Sequence, residues 1–407
     1  MKEKLIIKNF GPIKSVDLDL GKITILIGEQ ASGKSTVAKV LAICRYFSYI
    51  TDDSELVVNN KSSFELNALD DWGLSGYEKP NTYINYQNED YSVEVKYREI
   101  QKYANTGIEG DEVHISQKIL IPKLTAKSEQ FENLLKSYNN LKPEKNNGFG
   151  IDTNWNIPHS FLMTDVKKVM NNPFYFPTER SLQSLFSMGK SSIQNLSDTL
   201  FNQFAKLDQI ARSFKNETEI EPLGIIYKNV NGEGYFKLKD QDEFYKLSQG
   251  ASGFKSSLPI ILGVKYYSLF ERRSKTFIVE EPEINLFPEA QKKLVEFLVG
   301  SINSFDNDFL VPTHSPYILT SLENLMYAHK MANRNDGELK EEVGKIIDKK
   351  YWIDQNDVNV YYLGNGVHKD ISQRDEALID KDYIDSVSKS INSEYDQLLA
   401  LDVAMQN

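Results

Sequence analysis

The segment Gly28-Glu29-Gln30-Ala31-Ser32-Gly33-Lys34-Ser35 constrains this chain more than any other feature, because it fits G-x-x-x-x-G-K-[ST] in suitable surroundings. The apolar run from Lys22 to Ile27 precedes it and reads as a strand, and Val37, Val40, Leu41 and Cys44 follow at helical spacing. Strand, glycine-bracketed loop and helix in that order form an anion cradle. The glycines let the backbone turn tightly, so successive N–H groups and the positive end of the helix face a phosphate. Lys34 is expected to reach the β- and γ-phosphates of a nucleotide and Ser35 to offer its hydroxyl to Mg²⁺, while Thr36 packs or hydrogen-bonds the α-phosphate. A chance glycine-rich turn rarely arrives with both flanking elements.

Two further apolar strands end in chemistry. Thr276-Phe277-Ile278-Val279 runs into Glu280-Glu281-Pro282. A Glu-Glu pair is ordinarily solvated charge, but at the C-terminal edge of an α/β strand it stands where ligands bind. Glu280 is expected to hold Mg²⁺, through water, and Glu281 to polarise the attacking water. Phe309-Leu310-Val311-Pro312-Thr313 ends at His314-Ser315-Pro316. A lone histidine is more often structural, yet at the end of a third core strand it fits a polar sensor of the γ-phosphate or the attacking water.

The segment Leu247-Ser248-Gln249-Gly250-Ala251-Ser252-Gly253 opens a helix reaching about Phe270 and offers two registers for a second phosphate contact. Leu247 to Gly250 is one. Ser252-Gly253 is preferred, because residues abutting the helix best present a hydroxyl and N-terminal N–H groups to an anion. A plain linker is the bland alternative.

Composition removes several classes. The 407 residues are 40% hydrophobic and 26% charged, ordinary for a folded protein. No run approaches the ~20 apolar residues of a membrane span, and the start at Met1-Lys2-Glu3-Lys4 shows no signal-peptide core, so a cytoplasmic location is expected. Cys44 is the single cysteine, which excludes an intramolecular disulfide. A net charge of −11 opposes nucleic-acid binding on average, so a DNA contact would need a local basic patch.

Alternation predicts strands around Phe10-Gly11-Pro12, at Thr82 to Tyr86, Tyr91 to Tyr97, Phe174 to Phe176 and Val358 to Tyr362, with a hairpin turning at Asn231-Gly232. Helices are expected at Ser128 to Tyr138, about Ser192 to Phe214, Glu289 to Val299, and near the C-terminus with Ile384, Val387, Ile391 and Leu398 on one face. Sustained heptads are lacking, which argues against a long coiled-coil arm. The division is 1–101, a first lobe with the phosphate loop; 102–172, an insertion with no readable chemistry; 173–330, the second part of the core; and 331–407, a C-terminal α/β extension.

The order of these motifs, Gly28 to Ser35, Ser252-Gly253, Glu280-Glu281-Pro282-Glu283 and His314-Ser315-Pro316, resembles the ABC-type ATPases of the SMC, RecF and OLD group. Ile7-Lys8-Asn9-Phe10-Gly11-Pro12, Tyr175-Phe176-Pro177-Thr178-Glu179-Arg180-Ser181, Leu258-Pro259 and Glu281 to Pro288 look most like the stand-alone ATPases of bacterial anti-phage systems such as Septu. Glu280 replaces the more usual aspartate, and Phe287 stands where many members have one.

The resemblance implies an α/β ATPase head with a mixed or parallel core sheet, an antiparallel β subdomain and helical insertions. It also implies ATP and Mg²⁺ as ligands, ATP-dependent assembly into a homodimer or a higher oligomer of dimers, and a role in DNA maintenance, DNA repair or antiviral defence. A separate effector such as a nuclease is implied too, since no nuclease constellation is visible in the chain. Arg180, near the expected Q-loop, could contact the nucleotide site or hold an ion pair. A transporter-type ATPase subunit and a slow ATP-sensing scaffold are the competing classes.

Overall fold

The computed structural model describes residues 3–46, 57–58, 61–62, 64–105, 112–141, 173–180, 198–271, 275–334, 339–381 and 392–398. Its frame is an eleven-stranded mixed sheet. In chain order its first strands are β1 (Glu3–Phe10), β2 (Ile13–Leu20), β3 (Ile23–Gly28), β4 (Glu78–Gln87), β5 (Tyr91–Asn105), β6 (Glu112–Ala126) and β7 (Phe174–Phe176). A separate four-stranded antiparallel sheet follows, made of β8 (Thr218–Ile220), β9 (Ile225–Val230), β10 (Glu233–Leu238) and β11 (Tyr245–Lys246). The large sheet is completed by β12 (Thr276–Val279), β13 (Asp308–Thr313), β14 (Val358–Gly364) and β15 (Val367–Asp370). Its spatial order is β6-β5-β4-β1-β2-β15-β14-β3-β13-β12-β7.

Five adjacent strands, β14, β3, β13, β12 and β7, run parallel. Apolar residues line both faces of these strands, as a sheet covered on both sides requires, and alternate side chains enter two cores. Ile23, Ile25, Phe277, Phe309 and Val360 pack on one side with helices α3 (Asp198–Ser213), α4 (Ser252–Tyr266), α5 (Pro288–Phe305) and α6 (Pro316–Ala332). Leu26, Ile278, Leu310 and Tyr361 pack on the other with α1 (Lys34–Arg45). Helix α1 is buried on most of its circumference because the antiparallel wing, with Leu5, Val16, Ile84 and Val93 pointing inward, closes over it.

Several elements match the sequence expectations and others extend or shorten them. Glu112–Ala126 pairs along its whole length with Tyr91–Asn105, although Lys118 and Lys123 interrupt its apolar pattern. The hairpin turns at Asn231 and Gly232 with φ of 53° and 88°, the mirror-image turn that Asn-Gly favours. Helix α4 ends at Tyr266 and passes into a wider turn over Tyr267–Glu271. Helix α2 (Glu129–Leu141) occupies the expected place. Of the expected C-terminal helix, Ile384, Val387 and Ile391 lie outside the described residues, as does the start of the helix expected from Ser192.

Candidate active site

The phosphate loop leaves the sheet where β3 is squeezed between β13 and β14. A Cβ at Gly28 would fall 2.0 Å from the Leu363 carbonyl oxygen, so glycine is required there. Gly33, with φ of 101°, turns the chain into α1. Lys34 opens that helix and curls back, its Nζ donating to the carbonyls of Gly28 (2.9 Å) and Glu29 (2.8 Å). Its side chain is buried, with Ser32 Oγ 3.4 Å from Nζ. Burial lowers its pKa, opposed by the nearby carboxylates of Glu281, Glu283 and Glu280. Lys34 is thus a buried cation resting on neutral carbonyls, which a phosphate can outbid. Glu29, Gln30 and Ala31 form the exposed tip, Ser35 is exposed and Thr36 is buried.

The carboxylates arrive from β12, one strand beyond β13. Glu280 is 4% exposed; its Oε2 accepts from Thr178 Oγ1 at 3.3 Å, whereas its buried Oε1 has no hydrogen-bond partner among the described residues. An unsatisfied buried carboxylate oxygen calls for a partner; the Tyr175 phenol, also buried without a hydrogen-bond partner among the described residues, and Mg²⁺ or a water bound to it are the groups that fit. Burial and the Glu280 carboxylate hold the Tyr175 phenol well above its ordinary pKa.

Glu281 adopts a left-handed backbone, φ 42°, uncommon for a residue with a side chain. Its N–H donates to the Pro312 carbonyl at 2.8 Å, and its Oε1 lies 3.7 Å from His314 Nε2. Burial, then Glu283 and Glu280, raise the Glu281 pKa, while Lys34 and Arg180 pull it down. Burial and Lys34 lower the pKa of His314, against Glu283 and the Gly28 carbonyl. The backbone N–H of His314 donates to Glu283 Oε1 at 2.7 Å, which ties the histidine loop to the carboxylate turn. Cation, two carboxylates and a neutral imidazole therefore meet at the ends of three neighbouring strands.

Ser252 and Gly253 stand apart from the phosphate loop, with no hydrogen bond to it among the described residues. Ser252 is exposed in the first turn of α4, and Gly253 packs on the turn after the carboxylates, where an added Cβ would lie 2.6 Å from Asn285 O. Ser248 sits in the short helical turn Leu247–Gln249, also exposed.

Sequence patterning does not single out Thr178 as a site residue, and for Arg180 it allows both a nucleotide contact and an ion pair. Arg180 is fully buried, and its guanidinium forms no ion pair among the described residues; its hydrogen bonds run to main-chain carbonyls. The signal available was the polar run Thr178-Glu179-Arg180 directly after an apolar strand.

The family model described as "AAA ATPase domain" matches residues 1–319. The chain belongs to that family. It is also similar to three solved SMC head structures at low identity and with loose superposition. The SMC head domain from Thermotoga maritima is 12% identical, with 91% of this chain and 98% of that chain covered and a TM-score of 0.38. An SMC head bound to the C-terminal winged-helix domain of ScpA gives 12%, 92%, 97% and 0.40. The SMC head with an extended coiled coil, bound to a ScpA C-terminal domain derived from Pyrococcus furiosus, gives 13%, 96%, 99% and 0.37. No curated protein sequence matches the chain. Among the described residues no helix is long and apolar enough to cross a membrane.

Proposed function

We propose that this family member hydrolyses ATP at the sheet edge formed by β3, β12 and β13, and that it works as an ATP-driven dimeric switch. The carrying observation is the 3.7 Å approach of His314 Nε2 to Glu281 Oε1 beside the phosphate loop. Lys34 leaves its loop carbonyls to bind the β- and γ-phosphates. Glu281, ionised, accepts a proton from the attacking water, and neutral His314 helps to orient that water or the γ-phosphate. Mg²⁺, held by Ser35 and Glu280, would supply charge neutralisation on the phosphate oxygens.

Ser252 and Gly253 complete the site of a second copy. Two chains close head-to-tail around two ATP molecules, and hydrolysis reopens them. The resemblance of Tyr175 to Ser181 and of Glu281 to Pro288 supports a role in anti-phage defence or DNA maintenance, in which the motion controls DNA or a separate effector such as a nuclease.

The test is turnover and sedimentation of the purified chain with ATP and Mg²⁺. Expected are Mg²⁺-dependent phosphate release and, for Glu281→Gln, a stable dimer with ATP retained. Turnover that is unchanged in Glu281→Gln would refute the catalytic assignment.

A further inference from the structure

Arg180 is 0% exposed, yet it carries a charge that no carboxylate among the described residues pairs with; its hydrogen bonds run to carbonyls. Its Nη1 donates to the carbonyls of Pro177 (3.0 Å) and Glu280 (2.6 Å), its Nη2 to that of Glu281 (2.6 Å), and its Nε to that of Ser256 (2.7 Å). Burial lowers its pKa to about 10, and the carboxylates of Glu283, Glu280 and Glu281 oppose the fall. A buried, unpaired guanidinium is an expensive device for fastening neutral loops. What its planar fork provides is fixed direction: several carbonyls held at set angles by one rigid group.

Those carbonyls belong to three elements that this one guanidinium joins by hydrogen bonds. Pro177 follows β7, Glu280 and Glu281 end β12, and Ser256 lies in the first turns of α4. The Glu281 peptide is the one that needs holding, because its φ of 42° is unfavourable for glutamate and reverts unless its surroundings over-determine it. Pro312 O anchors its N–H, and Arg180 holds its carbonyl together with the N–H of Ile284 at 3.2 Å, so these bonds fix where the carboxylate points. A second rivet runs parallel: Ser256 Oγ donates to the Ile284 carbonyl at 2.7 Å.

We propose that Arg180 is the positioning residue for Glu281, and that through the Ser256 carbonyl it makes the aim of Glu281 depend on where the first turns of α4 sit. This rests on the ATPase reading above. Since Ser252 begins the same helix, a phosphate of another subunit engaging α4 moves Ser256, and Arg180 carries that displacement to the Glu281 peptide. Hydrolysis is thereby withheld until α4 is engaged.

The experiment compares Arg180→Lys, Ser256→Ala, Glu281→Gln and both double variants in the full-length chain, by nucleotide affinity and by single turnover with enzyme in excess. Arg180→Lys keeps the charge and loses the fork. A misaimed base costs on the order of 10²-fold in rate, so kcat should fall by about that factor while ATP affinity stays within about twofold. Ser256→Ala leaves Arg180 and Glu281 in place and should slow turnover severalfold. In the Glu281→Gln background both changes should have almost no further effect, since there is no carboxylate left to aim.

Arg180→Lys or Ser256→Ala effects that multiply fully with Glu281→Gln would overturn the proposal, as would wild-type kcat in Arg180→Lys. If Arg180→Lys fails to fold, Arg180→Gln takes its place in the same cycle, because it keeps a planar donor and loses the fork, whereas Ser256→Ala leaves every Arg180 bond intact and tests only the parallel link to Ile284. Wild-type kcat in Glu281→Gln would instead defeat the ATPase reading, and the proposal with it.

Discussion

The two halves of the site are built by opposite means. The phosphate loop is local: Lys34 is satisfied by Gly28 and Glu29, at most six residues away, and the strand, loop and helix that shape it are consecutive. The carboxylate turn is assembled from afar. Apart from the local N–H of Ile284 on its carbonyl, Glu281 depends on Pro312 for its N–H, on Arg180 for the second bond to its carbonyl and on His314 beside its side chain. A local cradle can bind phosphate wherever its strand is held, whereas a turn secured by distant residues can be loosened or tightened by changes elsewhere. Affinity should therefore belong to the first half and rate to the second.

The largest effect that separates them is expected from Glu281→Gln, which should lower turnover by roughly 10²- to 10⁴-fold with ATP affinity preserved. Equilibrium binding and single-turnover measurements check it; a loss of affinity matching the loss of rate would erase the division. Lys34→Ala should act on the other side, weakening ATP binding roughly 10- to 100-fold through loss of a charged hydrogen-bond donor. Calorimetry giving unchanged affinity would move the nucleotide away from this loop.

A smaller effect tests whether the halves are completed by another subunit. Lys34→Ala should be mixed with Ser252→Asp rather than with a change at Gly253, where a side chain would collide with Asn285 and disturb the fold itself. Free exchange gives about half heterodimers, each with one intact composite site, so about a quarter of wild-type turnover should return. No recovery despite demonstrated exchange argues against this register; Ser248→Asp in the same mix then tests the other.

The pH profile sharpens the comparison further. As the proposed base Glu281 must be ionised, and its pKa is raised above the ordinary 4.5. Turnover should consequently decline as pH falls, beginning above the ordinary carboxylate range. His314 is displaced downward from 6.5, so it stays neutral through pH 7 and contributes no limb there. The acid limb should survive in Lys34→Ala and vanish from the residual rate of Glu281→Gln; its persistence in the latter would place the base elsewhere.

The smallest expected response comes from Cys44, fully enclosed in α1 with its thiol pushed up to about 12. Native protein should take up almost no maleimide over a period that fully labels the chain in denaturant. Rapid native labelling would show that the helix behind the phosphate loop opens readily, contrary to a preformed cradle.

The sequence by itself determined the phosphate loop, the strands β3, β12 and β13, and the residues each delivers: Lys34 and Ser35, Glu280 and Glu281, His314. These were legible because the glycine pattern and uninterrupted apolar runs are short-range signals, set by backbone sterics and by burial on both faces of a parallel sheet. Only the tertiary structure decided that β14 lies beside β3, so that Leu363 confines Gly28, and that Arg180 grips a peptide one hundred residues later. Nothing in the local pattern around Arg180 distinguishes a carbonyl clamp from an ion pair or a nucleotide contact. A guanidinium's partners are whatever the fold brings within about 3 Å, and that is a property of packing rather than of neighbours along the chain.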